Sequence, residues 1–366
     1  MATTGTRRPL ISRMREPRAA YRSLDGGTKK VILGGLVTMA ATMVALVYLA
    51  PLFYMSVTAF KSEDMISDFR APLYPASPGT IEYRGEEIDL YSVPVDGEIR
   101  ELALVQPGRQ VSEMIDPADI AAGTFEWEGN WRQLEPTYGF DPQFQNFTEA
   151  WEEMDFLILL RNTFAIAVIG MAGTLAASTM VAYGLSRFRI PFKRTIFVVL
   201  IATIILPPFV KLVPTYALFY RIGWVGTWLP LIVPHFFANA YNVFLLRQYF
   251  LTIPKELDEA AKIDGAGPFR TLWSVILPQA KPALVAVGLF HFFFAWNDFF
   301  EPLVYLSTRR DLQPIAVGLQ VFNTLYDSQP HLIQAGAMLA LAIPLVIFFA
   351  AQRFFLEGID LSGVQK

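Results

Sequence analysis

The stretch EAAKIDGAGPFRTLWSVILP, from Glu259 to Pro278, is charged and rich in small residues, yet it lies between two long apolar segments. Pro254 precedes it and suits a first helical turn, where several acidic residues complement the positive end of the helix dipole. Gly265 stands where a left-handed residue would end that helix. The pattern predicts a short helix, a sharp bend, and a second helix that begins near Pro268 and ends at Pro278.

Both predicted helices are amphipathic. On the first helix, Leu257, Ala260 and Ala261 share a face, and the two alanines make that face flat enough for another surface to approach closely. The second helix has an apolar stripe with the spacing i, i+3, i+4, i+7, formed by Phe269, Leu272, Trp273 and Ile276. Two short helices of this kind are suited to docking against a partner.

The composition of the whole chain is that of a membrane protein. Hydrophobic residues make up 53% of the 366 residues and charged residues only 17%, against about 25% in ordinary soluble proteins. Four stretches without any charged residue, 31–60, 162–186, 222–246 and 332–352, reach the length of about 20 residues that crosses a bilayer. We therefore expect an all-α integral membrane protein with six transmembrane helices, at about 31–58, 157–185, 195–220, 226–247, 282–306 and 332–355.

Basic residues predict the orientation of these spans. Residues 1–30 contain eight Lys and Arg, and four more lie between the second and third spans, at Arg187, Arg189, Lys193 and Arg194. Because such residues are retained in the cytoplasm, both termini are expected there. The predicted order is a basic cytoplasmic segment 1–30, a first helix 31–60, an extracytoplasmic insertion 61–155, a five-helix core 156–356 with a cytoplasmic loop 249–281, and a cytoplasmic tail 357–366.

The insertion 61–155 is acidic, with 21 of the 33 acidic residues of the chain against six basic ones. Its segment IDLYSVPVDGEIRELALV alternates around Asp96-Gly97, a dipeptide suited to a two-residue hairpin turn. A disordered acidic loop is the alternative, but such loops contain few aromatic residues, and this one includes three tryptophans. We predict a β-rich fold over about residues 70–140.

The stretch at Glu259 resembles the cytoplasmic signature E-A-A-x3-G-x9-I-x-L-P of transmembrane subunits of binding-protein-dependent ABC importers. The matching residues are Glu259, Ala260, Ala261, Gly265, Leu277 and Pro278, and Val275 departs at the Ile position. RNTFAIAV (161–168), AYGLSRFRI (182–190), AWNDFFEPLVYL (295–306), LQPIAVGL (312–319) and the final GVQK resemble the carbohydrate branch, the MalG-like subunits. The resemblance covers about residues 31–60 and 144–366, without the acidic insertion.

The resemblance implies a MetI-like ABC importer fold and a permease subunit that moves a mono- or oligosaccharide across the cytoplasmic (inner) membrane by alternating access. In that family the signature helix seats in a cleft of a cytoplasmic ATPase subunit. The implied partners are a dimer of ATPase subunits, a second, MalF-like permease, an extracytoplasmic sugar-binding protein and membrane lipid, with no nucleic acid. ATP and Mg are expected in the ATPase subunits, because this chain has no G-x4-G-K-[ST] loop. We expect no enzyme activity and no cofactor in the chain itself.

Ionisable residues within the predicted fifth span indicate a candidate translocation pathway, because such residues are costly in a membrane. Phe290, Phe294, Asn297 and Glu301 follow i, i+4, i+7, i+11, with Asp298 beside them. Aromatic faces and hydrogen-bonding groups on one stripe suit a sugar. The alternative places Asp298 and Glu301 at the outer interface or against a partner subunit.

Other functions remain as alternatives. An ion-gradient-driven secondary transporter or channel would need paired intramembrane acids and would have no use for the loop at Glu259. A membrane enzyme using Asp298 and Glu301 would lack a nucleophile, since the chain has no cysteine and no catalytic cluster. No metal site is expected, because His235, His291 and His331 stand far apart on different predicted elements.

Overall fold

The fold is described from a computed structural model, which covers residues 26–95, 97–323 and 328–360. The chain divides between Phe53 and Tyr54 into two compact units. Three sequence predictions fall largely or partly outside the described residues: the basic segment 1–30, the turn at Asp96, and the tail 357–366.

Helices dominate the described residues outside the insertion. In chain order they are α1 Gly26–Ala59, α2 Glu63–Ser67, α3 Gln145–Glu153, α4 Phe156–Arg187, α5 Lys193–Ala202, α6 Pro208–Arg221, α7 Leu229–Ile232, α8 Ala240–Thr252, α9 Glu256–Ile263, α10 Pro268–Thr271, α11 Leu277–Gln279, α12 Lys281–Trp296, α13 Phe300–Tyr305, α14 Ile315–Gly318 and α15 Pro330–Asp360. Short 3-10 turns lie at Ile120–Ala122, Trp131–Gln133, Thr203–Ile205, Val233–Phe236, Arg310–Leu312 and Leu319–Phe322, and a π turn lies at Leu272–Ile276.

Within the described chain, four helical segments are long and apolar enough to cross a membrane: Lys30–Ala59, Phe156–Arg187, Leu229–Thr252 and Pro330–Gln352. Two bent pairs of helices meet the same criterion when each pair is taken together: Lys193–Ile205 with Phe209–Arg221, and Pro268–Gln279 with Lys281–Trp296. Length and composition thus give four to six spans, which confirms a helical, multi-pass membrane protein.

The predicted fifth span, 282–306, is wrong as a single helix. The helix α12 ends at Trp296, and at its start it meets the helical run Pro268–Gln279 at an angle of 83°. The side chain of Asn297 donates from Nδ2 to the backbone carbonyl of Phe293 at 2.8 Å. A short polar side chain that bonds to nearby backbone competes with helical hydrogen bonding, so the chain leaves the helix here.

The first helix presents apolar side chains to its surroundings. From Lys30 to Phe53 every described side chain is exposed, and most of these residues are apolar. Water is a poor solvent for such a surface, whereas lipid tails accept it. The pattern is that of a helix which passes through a bilayer.

The insertion folds into antiparallel sheets, which confirms the predicted β-rich structure. Its strands are β1 Ala76–Pro78, β2 Thr80–Tyr83, β3 Glu86–Val95, β4 Glu98–Gln106, β5 Val111–Ile115, β6 Phe125–Glu128, β7 Glu135–Pro136 and β8 Tyr138–Phe140. The main sheet has the order β2-β3-β4-β5-β6 with β7 beside β3, and β1 pairs with β8 in a second sheet. Val95 pairs with Glu98, which leaves a two-residue loop, and Gly97 within it has a φ of 86°.

The insertion has its own apolar core. Val93, Leu102, Leu104, Met114 and Leu134 are buried together, and Trp127 and Trp131 pack against them. At its base, the side chain of Asn146 donates to the carbonyls of Ala59 and Lys61, both at 2.9 Å. The two ends of the insertion are therefore fixed to each other.

A tyrosine in the insertion has a strongly shifted pKa. The hydroxyl of Tyr138 donates to Asp68 at 3.0 Å. Burial and this hydrogen bond to a carboxylate together raise the pKa of Tyr138 to about 12, because both disfavour the phenolate.

In the unit from Tyr54 onwards, α4 is the central helix, against which α8 and α12 pack. Glycines allow this close approach. A Cβ added at Gly170 would lie 2.8 Å from Nε2 of His291, and one added at Gly173 would lie 2.6 Å from the ring of Phe236. These contacts place the middle of α4 beside a break between α7 and α8.

Candidate functional site

The helix α9 carries the start of the signature stretch. It begins at Glu256 after Lys255, so Pro254 lies just before the first turn. The sequence pattern predicted Pro254 within that turn. Its first turn contains Glu256, Asp258 and Glu259. Negative side chains at this end are stabilised by the helix dipole.

The predicted end of this helix at Gly265 is confirmed. Gly265 has a φ of 75°, in the left-handed region that favours glycine. Its N–H donates to the carbonyl of Lys262 at 3.1 Å, and the N–H of Ala266 donates to the carbonyl of Ala261 at 2.9 Å. These two bonds form a Schellman motif, which reverses the chain sharply and sets the angle at which the next helix leaves.

The second helical run continues from Pro268 to Gln279, so the prediction that Pro278 ends it is wrong by a short distance. The break falls at Ala280. Proline has no N–H and its ring clashes with the carbonyl four residues earlier. The helix accommodates Pro278 by widening into the π turn Leu272–Ile276 just before it. Such π turns often mark irregular positions in helices.

The structure separates residues that were predicted to share one face. Ala260 is exposed, as is Leu257, but Ala261 is buried, so the two alanines do not present one flat surface. On the second run, Leu272 and Ile276 are buried. On this second run, the π turn Leu272–Ile276 contributes to the separation of buried from exposed residues, because it rotates residues away from the regular 3.6-residue spacing.

An exposed apolar surface remains on this segment, and we call it the coupling surface. It consists of Ala260, Ile263, Phe269 and Trp273. Ile263 is 86% exposed, Phe269 79% and Trp273 76%. Large side chains so exposed on two consecutive short helical runs are typical of a protein interaction site. Of the remaining signature residues, Glu259 and Pro278 are exposed and Leu277 is half-buried.

The coupling surface is fixed to the membrane part by polar contacts. Nη1 of Arg187, at the end of α4, lies 3.2 Å from Oδ2 of Asp258, and the Arg187 side chain is only 6% exposed. Nη2 of Arg187 donates to the carbonyl of Ile253 at 2.9 Å. The hydroxyl of Tyr183 donates to the carbonyl of Pro268 at 3.2 Å. Movement of either helical run of the signature would therefore pull on the end of α4.

Apolar packing also connects the second helical run to α4 and α8. Leu272 and Ile276 belong to a buried cluster with Tyr183 of α4 and with Leu246 and Phe250 of α8. Close-packed side chains transmit displacement because the interior is nearly incompressible. Sequence reasoning missed this anchoring, since it treated Arg187 only as an indicator of orientation.

The five pathway candidates do not form the predicted stripe, because α12 ends before three of them. Phe290 and Phe294 lie on α12 and line a cavity of about 330 Å³. Asn297 is exposed beyond the helix end. Oδ1 of Asp298 accepts a hydrogen bond from the backbone N–H of Glu301 at 3.4 Å, at the start of α13. Glu301 is half-buried in the first turn of that helix.

Two of the three histidines come together, contrary to the prediction. The rings of His235 and His291 lie 4.4 Å apart between centroids, at 74°. They are separated by 56 residues of sequence, so no local pattern indicated the contact. Among the described residues, no group of three or more His, Cys, Asp or Glu is arranged to hold a metal.

The family described as "Binding-protein-dependent transport system inner membrane component" matches residues 160–360, more than half of the chain. The osmoprotective compounds uptake permease protein GgtD of Synechocystis is 28% identical over 241 residues, which are 66% of this chain and 80% of that protein. The sn-glycerol-3-phosphate transport system permease protein UgpE of Rhizobium meliloti is 34% identical over 203 residues, 55% of this chain and 71% of that protein.

A solved structure supports the fold. A bacterial ABC transporter involved in the import of the acidic polysaccharide alginate contains a chain with a TM-score of 0.62 and 21% sequence identity. The similarity covers 94% of this chain and 99% of that chain. The match therefore includes most of the insertion as well as the helices.

Proposed function

Since the chain belongs to the binding-protein-dependent transport system inner membrane components, and so is a permease subunit of an ABC importer and not an enzyme, we propose that its substrate is a sugar. We also propose that it has six spans, with both bent helix pairs crossing the bilayer. Its termini and the coupling surface then face the cytoplasm, and the acidic insertion faces outwards. The positions of the basic residues support this orientation.

The observation that carries the mechanism is the exposed coupling surface on an anchored helix pair. Ile263, Phe269 and Trp273 are exposed, while Arg187 and Tyr183 of α4 hold the same segment from behind. We propose that a cytoplasmic ATPase subunit receives this surface in a cleft. Glu259, Ala260, Ala261, Gly265, Leu277 and Pro278 then shape the segment, with Ala261 and Leu277 on its inner side.

The proposed cycle follows from these contacts. When the two ATPase subunits close on ATP, they move the coupling surface together with α9. The Arg187–Asp258 ion pair and the buried cluster around Leu272 carry that displacement into α4 and α8. The spans open towards the outside and receive the substrate from an extracytoplasmic binding protein. ATP hydrolysis then returns them to the inward-open state.

The substrate class is supported by the relatives. The permeases GgtD and UgpE act in uptake of osmoprotective compounds and of sn-glycerol 3-phosphate, respectively. Glycerol phosphate is a hydroxylated but anionic solute, so this relative supports a hydroxylated substrate and does not support a charged one. This chain carries aromatic side chains next to amides in its membrane part. A sugar offers apolar C–H faces and hydroxyl groups together, which suits such a lining.

The proposed partners are a second permease, two ATPase subunits and a sugar-binding protein. The test is to purify the assembled importer, reconstitute it in liposomes and measure sugar uptake with and without ATP. We expect uptake that requires both ATP and the binding protein. Uptake that follows an imposed proton or sodium gradient and ignores ATP would contradict the proposal and favour a secondary transporter.

A further inference from the structure

A broken helix lies beside the middle of α4. The span Leu229–Thr252 is interrupted between the 3-10 turn Val233–Phe236 and α8, where Phe237 and Ala238 are not helical. Beside the break lies the midpoint of α4, at Gly170 and Thr174. In membrane transporters, interrupted helices near the bilayer midplane commonly build substrate sites, because backbone may leave the helix only where it lines a cavity or is buried.

A cavity of about 330 Å³ opens at this break. This volume is at the lower end of the range usual for small-molecule sites. Its lining combines two imidazoles, two amides and three aromatic rings: His235, His291, Asn239, Asn242, Tyr241, Phe290 and Phe294. The elements that supply them are α8, α12 and the turn before the break.

One polar atom of this lining lacks a partner. The His291 side chain is buried, and its Nδ1 lies 3.2 Å from Oγ1 of Thr174. Its Nε2 is buried without a hydrogen-bond partner. The ring lies so close to α4 that only a glycine at position 170 leaves room for Nε2. Nε2 faces Gly170 of α4 and has almost no accessible surface, so His291 fixes this wall of the cavity and does not itself bond to a solute.

We propose that this cavity, which we call the midspan site, binds a neutral polyhydroxylated solute during translocation; this inference rests on the function proposed above. Phe290 and Phe294 offer faces on which the C–H side of a sugar ring can pack. Asn242 and His235 offer hydrogen-bonding groups to its hydroxyls. The side chain of Asn239 already accepts from the N–H groups of Tyr241 and Asn242, so it orders the start of α8.

The lack of charged side chains in the lining of the midspan site favours a neutral solute over an anionic one. Its lining contains no Asp, Glu, Lys or Arg. The first N–H groups of α8, which could otherwise receive an anion, are taken by Asn239. A phosphate ester would enter without a cation to pair with, and an unpaired charge away from water is strongly disfavoured.

The test uses the complete importer in liposomes, with radiolabelled maltose and trehalose as neutral probes and sn-glycerol 3-phosphate and a uronic acid oligomer as anionic probes. For the solute that is transported, Phe294→Ala and Asn242→Leu should raise the KM of uptake. Loss of one hydrogen bond predicts an increase between about 2-fold and 12-fold. Binding-protein-stimulated ATPase activity should remain near the parent value, because neither residue contacts the coupling surface.

Matched controls separate the site from the general function. Phe237→Leu removes an aromatic ring at the same break that is 72% exposed and outside the cavity lining, and it should leave KM unchanged. Trp273→Ala should reduce ATPase stimulation and leave KM unchanged. If Phe294→Ala and Asn242→Leu also leave KM unchanged while Trp273→Ala acts as expected, the midspan site is refuted and the permease function stands.

Two other outcomes also decide the matter. Uptake of the anionic probes with no uptake of neutral ones would overturn the proposed solute class. Absence of ATP-dependent uptake for every probe in an assembled complex would overturn the proposed function, and the midspan site with it.

A second measurement does not depend on the rate of transport. The chain has no cysteine, so Asn242→Cys and Phe294→Cys each place a single thiol on this subunit. We expect the transported solute to slow labelling of both thiols by a methanethiosulfonate reagent. Phe349→Cys, on an exposed position of α15, should label at the same rate with or without solute. Equal protection at all three positions, or protection at none, would contradict a site at the break.

Discussion

The ion pair between Arg187 and Asp258 offers the sharpest prediction about coupling. Replacing Asp258 by Leu leaves the guanidinium of Arg187 buried with the carbonyl of Ile253 as its remaining partner. Removing one partner of a fully buried pair costs about 3–5 kcal/mol. The Asp258 side chain is 23% exposed, and water therefore compensates in part, so we expect a cost of about 2–3 kcal/mol.

The loss of the ion pair should loosen the attachment of α9 to α4 without unfolding α9. The helix α9 would keep its own hydrogen bonds and its Schellman end, but it would lose its fixed position against α4. We expect the Asp258→Leu importer to assemble and to hydrolyse ATP, while solute transported per ATP falls about tenfold. The assay measures uptake and phosphate release on the same liposomes. Asp264→Leu is the matched control, because Asp264 is an exposed acid at the end of the same helix.

A double variant sharpens the argument. Arg187→Met with Asp258→Leu removes both charges together, and replacing a buried pair by apolar side chains is often neutral or stabilising. The double variant should therefore be more stable to heat than Asp258→Leu alone and should recover part of the coupling. If Asp258→Leu behaves like Asp264→Leu, or if the double variant is the least stable of the set, the ion pair does not anchor the segment.

Further predictions concern the turn, the coupling surface and the insertion. Gly265→Val should uncouple uptake from ATP hydrolysis, because a β-branched residue at a φ of 75° is strained by about 1–3 kcal/mol; Gly267→Val, where φ is −71° and nothing lies near, is the control and should couple normally. Trp273→Ala should lower the amount of ATPase subunit that copurifies, measured by quantitative gel densitometry, whereas unchanged recovery would remove Trp273 from the interface. The isolated segment 61–155 should show a β-sheet circular dichroism spectrum and a cooperative urea transition, and a coil spectrum would contradict its independent folding. Burial and Asp68 raise the pKa of Tyr138 to about 12, so the contribution of Tyr138 to stability is complete below about pH 10 and is lost as the pH rises towards 12. Between pH 10 and pH 12, the urea midpoint of Tyr138→Phe should therefore fall less than that of the parent protein.

Much of this fold follows from local sequence, because its causes are local. The uncharged runs identify four of the spans, since about 20 apolar residues in succession have few other uses. The alternation around Asp96-Gly97 predicts the hairpin β3-β4, and Gly265 predicts a helix end through its backbone freedom alone. These features need no knowledge of distant contacts.

The errors have a common physical origin in tertiary structure. The fifth span was extended through Asn297 because hydropathy does not register a side chain that bonds to its own helix end. The expected face of Ala260 and Ala261 failed because packing against the following helical run, Pro268–Gln279, decides which side of α9 is buried. The approach of His235 to His291 required the folded arrangement of three helices. Asn239, an amide just before the apolar run of α8, is by contrast a helix start signal that local sequence does provide.

The central proposal is that an ATPase subunit binds the coupling surface and moves it. Because the chain has no cysteine, Ile263→Cys provides a single thiol on that surface, and Thr308→Cys provides one on the predicted opposite side of the membrane. A cleavable thiol–amine cross-linker is added to the assembled importer, and products are resolved on gels with uptake measured in parallel. We predict that Ile263→Cys cross-links to the ATPase subunit, that the cross-link stops uptake, and that cleavage restores it. Thr308→Cys should give no such product. Cross-linking from Thr308→Cys and none from Ile263→Cys, in an active complex, would contradict the account.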